Sequence, residues 1–166
     1  MTNQTETAPV LVRSQTAETL QDGALSQIML LAQGSDTGGA LTANKARLLK
    51  GSPGAPAHFH TGMTEMFLVL DGAARFLVDD RIVRMGRGDF LTIPAGVPHA
   101  FAPEADSDAE LFVAFTPGPD RFDYYRLLER VYRGEATVQD IRDSSERYDN
   151  HYFDSAVWRE ELTRVI

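Results

Sequence analysis

The sequence predicts an all-β sandwich or barrel that ends in helices, and three observations carry that prediction. Short apolar runs alternate with turn signals from Val10 to about Thr116, a pattern of many short strands with regular turns. After Thr116-Pro117 the apolar spacing changes to three and four. Between these regimes lies a His-x-His pair, His58 and His60, with Glu65 and His99 downstream. Successive strand side chains point to opposite faces, so His-x-His puts both imidazoles on one face, close enough to share an ion.

Taken in order, residues 1–10 are polar and rich in Thr and Asn, which predicts a flexible arm. The barrel is expected over 11–117. VLV, IMLLA and ARLL form its opening strands, with turns at Asp22-Gly23 and Gly38-Gly39. Further strands are expected near 56–61, 65–71, 73–79, 81–85, 89–93, 98–102 and 110–116. Asp71-Gly72 and Asp79-Asp80 supply hairpin turns, and PEADSDAE a longer loop.

Residues 118–166 form a helical extension packed on the barrel. Phe122, Tyr125, Leu128 and Val131 or Tyr132 share one face of a helix over 120–133, which Gly134 ends. Thr137 and Asp140 form a capping box that opens a second helix to about Tyr148. Ser155 caps a third through Leu162. Such helices either cover a sheet face, or close the barrel mouth or build a dimer contact.

The chain has 166 residues, 43% hydrophobic and 24% charged, ordinary for one globular domain with a full core. Its net charge of −8 argues against nucleic acid and anionic membrane as partners. It has no cysteine, which excludes disulfides and leaves nitrogen and oxygen donors for a metal. MTNQTETAPVLVRS has no apolar run behind a basic start, and no segment reaches the roughly 20 apolar residues that span a bilayer, so a cytoplasmic protein is expected. No phosphate-cradling glycine loop, G-x-S-x-G elbow or dinucleotide fingerprint occurs. Arg87-Gly88-Asp89 sits at a strand entry and is incidental to adhesion. His151, in DNHYF, is expected to be a surface or packing residue, or else a lid over a pocket.

The stretch HFHTGMTEMFLVLDG leaves four residues between His60 and Glu65 and six between Glu65 and Gly72. A second stretch, GDFLTIPAGVPHAF, runs from Gly88 through Pro94 and Gly96 to His99 and Phe101. Together they resemble the two motifs of the cupin superfamily, over roughly residues 36–117. The resemblance implies a jelly-roll barrel in which His58, His60, Glu65 and His99 hold one divalent metal ion per subunit. Two positions depart from the family pattern. Ser52 replaces a glycine six positions before His58, between Gly51 and Gly54, and Pro103 replaces an asparagine four positions past His99. Neither removes a ligand.

Three imidazoles and a carboxylate leave one or two coordination positions free, as a catalytic site requires. The donors suit Fe, Ni, Co, Mn, Zn or Cu and do not choose among them. If Glu65 points inward, the period of two takes Phe67 and Val69 with it, and His99 brings Phe101. These three are the expected substrate contacts. An apolar pocket favours a small aromatic or hydrophobic substrate over a free sugar.

TGGALT ahead of the first motif, the short spacer and the TPG turn into C-terminal helices are similar to single-domain quercetin 2,3-dioxygenase-like proteins. The resemblance implies a homodimer and a metal-dependent dioxygenase. In that chemistry the metal binds an enolate or phenolate oxygen, Glu65 acts as the base, and dioxygen opens a flavonol ring with loss of carbon monoxide. Two other classes share the same layout. One is a non-redox metal enzyme, such as an isomerase, decarboxylase or polyketide tailoring enzyme or cyclase; the other is a ligand-binding cupin without turnover.

Overall fold

A computed structural model describes residues 8–164. Most of the arm expected over 1–10, and the last two residues of the extension, lie outside the described residues. Ten strands and five short helices follow in order: β1 (Thr19–Gly23), β2 (Ser26–Ala32), α1 (Gly34–Thr37), β3 (Thr42–Leu48), β4 (Ala55–Phe59), β5 (Thr64–Val78), β6 (Arg81–Gly86), β7 (Phe90–Ile93), β8 (His99–Pro103) and β9 (Ala109–Thr116), then α2 (Phe122–Tyr132), α3 (Val138–Asp143), α4 (Ser145–Tyr148), β10 (His151–Tyr152) and α5 (Ala156–Thr163).

The strands form one antiparallel sheet that curls into a half-barrel, and β5 explains how. Its first half pairs with β9 and β7, and its second half with β6 and β8. It therefore belongs to both walls: β1-β2-β3-β9-β5-β7 on one side and β6-β5-β8-β4-β10 on the other. The corner is Asp71-Gly72. A hairpin was expected at this pair, but the strand runs through it with a bend. The register against β9 shifts between Val69 and Asp71, and Gly72 has φ 70°. A turn-forming dipeptide in a long strand here makes a corner by which one strand changes sheets.

The turn at Asp79-Asp80 is a true two-residue hairpin: Val78 faces Arg81, and Asp79 takes φ 55°, the left-handed value that a primed turn asks of its first central residue. The Asp22-Gly23 signal also holds, with Gly23 opposite Ser26. Three other expectations are corrected. VLV at residues 10–12 is exposed and forms no strand, because nothing packs on it. Gly38 ends the short helix α1 in a left-handed cap rather than turning a hairpin. The single helix expected after Thr137 breaks at Ser144 into α3 and α4, although Thr137 and Asp140 do form the capping box.

Between the walls lie Phe67, Val69, Phe76, Ile93, Leu111, Val113 and Phe115, all sealed from solvent. Phe67 makes edge contacts with Phe76 at 5.0 Å and Phe101 at 5.1 Å between ring centroids. The helical extension does two things. Helix α5 covers the outer face of β4, β5 and β8, where Ala57, Ala100 and Ala102 leave room for the Trp158 indole beside Leu77. Tyr124, Tyr125 and Tyr148 of α2 and α4 pack on Leu20, Ile28 and Leu30 of β1 and β2. This second packing places helical side chains over the inner surface of the half-barrel.

Candidate metal centre and cavity

His58 lies on β4, and His60 follows its last residue. In the ladder His58 stands directly opposite His99, the first residue of β8. Glu65 is the second residue of β5, between Ile93 of β7 and Phe115 of β9. Both walls of the half-barrel thus contribute, and the four side chains are all buried. One donor atom from each residue lies within 4.8 Å of the others. Glu65 Oε2 is 2.6 Å from His99 Nε2, 3.0 Å from His60 Nε2 and 3.8 Å from His58 Nε2.

The outer nitrogens settle which atoms face the cluster. His58 Nδ1 is 2.7 Å from the carbonyl of Pro56, His60 Nδ1 2.6 Å from that of Asp149, and His99 Nδ1 2.9 Å from that of Val97. A carbonyl oxygen only accepts, so each Nδ1 carries the proton and donates it. Every Nε2 is then the nitrogen turned inward, each ring held by backbone in the manner of a metal-ligating imidazole.

The electrostatics agree with a cation-binding role. Burial pushes His58 down to about 4, against the pull of Glu65, so it is neutral near pH 7 with a free lone pair. Burial works to raise the Glu65 carboxyl, but the three imidazoles around it, with His60 and His99 at hydrogen-bond distance, outweigh it and hold it well below the usual carboxylate range. His99 is raised despite its burial, because Glu65 accepts its proton. A buried carboxylate ringed by three inward Nε2 atoms, which release any proton they hold when a cation takes its place, is a donor set that a divalent transition-metal ion fits.

A cavity of about 480 Å³ leads from this cluster, within the size range of small-molecule sites. His58, Glu65 and Phe101 line its inner end, with Ile28, Ala46, Val113 and Phe115 from the sheets. Leu128, Val131 and Ile141 of α2 and α3 form the opposite wall, and the exposed Tyr132, Val138 and Arg142 edge it toward solvent. Of the expected substrate contacts, Phe101 stands on this wall. Phe67 and Val69 do not: they point into the closed core, because the inward face of β5 meets packed side chains beyond Glu65. His151 is outside the cluster. It sits on β10, stacks on Phe59 at 5.2 Å and donates from Nε2 to Asp149 Oδ1 at 3.0 Å.

Sequence reasoning missed Asp149, which ties the extension to the site twice. Its carbonyl orients His60, and its carboxylate accepts from the backbone N–H of Thr61 and Gly62 and from the Thr61 hydroxyl. The residue takes φ 50°, a left-handed value that Asp and Asn tolerate better than other side chains. That tolerance is the only local signal, since its partners are almost ninety residues away. Asp149→Ala should lower stability by about 1–3 kcal/mol by leaving several donors without an acceptor, and Asp149→Asn should lower it less. Urea unfolding of both variants checks the order; an Ala variant as stable as wild type would show that the clamp contributes nothing.

Ser52 and Gly54 show how the first motif manages without the expected glycine. Ser52 is buried and bonds Ser26 Oγ at 2.7 Å, while Gly54 takes φ 62° where a Cβ would lie 1.9 Å from the carbonyl oxygen of Phe101. The close approach of chain before His58 falls at Gly54.

A half-barrel of antiparallel strands with a His₃Glu cluster in its hollow defines a class of small β proteins built around a single candidate metal site. Residues 44–115 match the family model described as Cupin domain, so that stretch of the chain is similar to cupin domains. No curated protein matches the sequence significantly. Among solved structures, KdgF from Halomonas sp. is similar, with a TM-score of 0.60 and 17% identity over 70% of this chain and 99% of that one. The polyketide cyclase RemF from Streptomyces resistomycificus gives 0.55 and 18%, over 65% and 79%. A sugar phosphate isomerase of the cupin superfamily from Silicibacter pomeroyi gives 0.56 and 23%, over 64% and 74%. At these identities the likeness establishes the fold, while the named reactions differ from one protein to the next.

Proposed function

We propose that the chain is a metal-dependent dioxygenase acting on a flavonol-like or other enolisable aromatic substrate, in the manner of quercetin 2,3-dioxygenases. The observation that carries this reading is the convergence of His58, His60, His99 and Glu65 at the inner end of a mostly apolar cavity. His58, His60, Glu65 and His99 would hold the ion. Bound there, a divalent ion supplies Lewis acidity toward a substrate hydroxyl or carbonyl oxygen.

The chain's own residues do the rest. Phe101, Val113 and Ile28 give a flat ring an apolar seat and keep water from it. Glu65 is ionised, the state able to accept a proton, and it reaches the cavity wall, so it takes the proton of the substrate hydroxyl. The electron-rich ring then takes up dioxygen. For a flavonol both oxygen atoms enter the products, and one ring carbon leaves as carbon monoxide.

Oxygen uptake with quercetin, on protein of measured metal content, tests this directly. Wild type should consume oxygen and release carbon monoxide, and the reaction should stop under anaerobic conditions. Glu65→Gln should lose activity by roughly 100- to 10,000-fold, the usual contribution of a positioned base, while keeping part of its metal. Turnover of an authentic substrate that continues unchanged without oxygen would overturn the dioxygenase reading in favour of isomerase, decarboxylase or cyclase chemistry.

A further inference from the structure

Arg121 precedes α2 and is 2% exposed, yet no carboxylate among the described residues pairs with it. Its neighbours are neutral. The guanidinium carbon lies 4.3 Å from the Phe115 ring centroid, 5.0 Å from Tyr124 and 5.4 Å from Tyr125. One terminal nitrogen donates to the Tyr148 carbonyl and the other to Asn150 Oδ1, both at 3.3 Å. Its Nε is buried with no hydrogen-bond partner, and the residue is on the cavity wall. Arg75, also buried and also without a partner at Nε, lies away from the cavity and has Glu161 at 3.4 Å to balance its charge.

Removing a guanidinium from water costs several kcal/mol unless an anion compensates it. Aromatic faces and two neutral acceptors do so only in part. Glu65 is the carboxylate that acts on Arg121 through space, but it makes no direct contact with the guanidinium and its Oε2 is engaged by the imidazoles. Glu65 and Asp22, the carboxylates on the same wall, make no ion pair with Arg121, so the guanidinium has only neutral direct partners in an otherwise mostly apolar cavity.

We propose that Arg121 is an anion-binding and specificity-determining residue of this cavity, and that the ligand is an aromatic or otherwise apolar organic monoanion whose negative group bonds the Arg121 guanidinium. The proposal rests on the cavity being the ligand site, and not on the metal or on oxygen chemistry. The planar body of such a ligand lies between Ile28 and Val113 on one side and Leu128 and Val131 on the other, all of which line the cavity.

Calorimetric titration with 2-naphthoate and its neutral isostere 2-naphthamide tests it, on the full chain as purified and on a chelated sample. Wild type should bind the carboxylate at least about tenfold more tightly in both samples, as one charge-assisted hydrogen bond allows. Arg121→Gln should bind the two equally, and Arg121→Lys should keep part of the preference. Equal binding by wild type would overturn the proposal, and so would an undiminished preference in a folded Arg121→Gln. If that variant fails to fold, the wild-type comparison in the chelated sample and the Lys variant still decide. Oxygen uptake from quercetin without carboxylate preference would overturn the anion site alone; preference without oxygen uptake would support it and overturn only the dioxygenase.

Discussion

His99→Ala should strip the protein of most of its bound metal. His99 is the imidazole nearest Glu65, with Nε2 and Oε2 2.6 Å apart, and it alone comes from β8, so no neighbouring donor can swing in to replace it. His58 and His60 are fixed by their own backbone acceptors, Pro56 and Asp149. Loss of groups that only orient metal ligands weakens affinity roughly 10- to 100-fold, so loss of a ligand should cost at least about 100-fold. Removing the imidazole also leaves Glu65 buried with one fewer hydrogen bond, which raises the energy of the carboxylate that a cation requires. His151→Ala provides the comparison, because His151 lies outside the cluster and should leave metal content unchanged. Elemental analysis with chelator competition on both variants checks the difference. Full occupancy in His99→Ala would remove His99 from the ligand set and with it the reading of the site.

The candidate metal donors were legible in the sequence because their signal is local chemistry: an x-spaced histidine pair, a carboxylate five positions on and a histidine ahead of an apolar strand. The structure brings those four together across the hollow, His58, His60 and His99 from β4, its end and β8 in one wall and Glu65 from the start of β5 in the other. The β pattern and the capped helices were legible for the same reason, since alternation and caps are short-range. What stayed hidden depends on contacts between distant segments. Asp71-Gly72 has the composition of a hairpin, and only the simultaneous pairing of β5 with β9 and β8 makes it a corner. Phe67 and Val69 share an inward face with Glu65, but period alone does not say where cavity ends and packed core begins. Arg121 and Asp149 carry no motif. Their roles arise because the extension folds back over the half-barrel, a step that follows from the fit of Tyr124, Tyr125 and Tyr148 to Leu20, Ile28 and Leu30.

Replacing Gly72 by alanine should destabilise the fold strongly. Two costs combine there. At φ 70° a residue with a Cβ loses about 1–2 kcal/mol relative to glycine. The Cβ would also stand 2.0 Å from the carbonyl oxygen of Asp108 and 3.3 Å from the Ala109 Cα, contacts that side chains do not tolerate. Relief requires moving the start of β9, yet Asp108 is held there: its carbonyl accepts from the Ala73 N–H at 3.2 Å and its carboxylate from the Lys50 N–H at 2.7 Å. Breaking either bond adds about 1 kcal/mol, so the total should exceed about 3 kcal/mol. Gly88→Ala separates the two costs. Gly88 has φ 90° but no atom within 4 Å of a built Cβ, so it should show the backbone cost alone. Urea midpoints of the two variants measure the difference, and equal losses would mean that the corner yields without strain. Because β5 carries Glu65 on one wall and packs against His99's strand on the other, a disturbed corner should also reduce metal content. The bend at Gly72 thus connects the shape of the half-barrel to the convergence of its ligands.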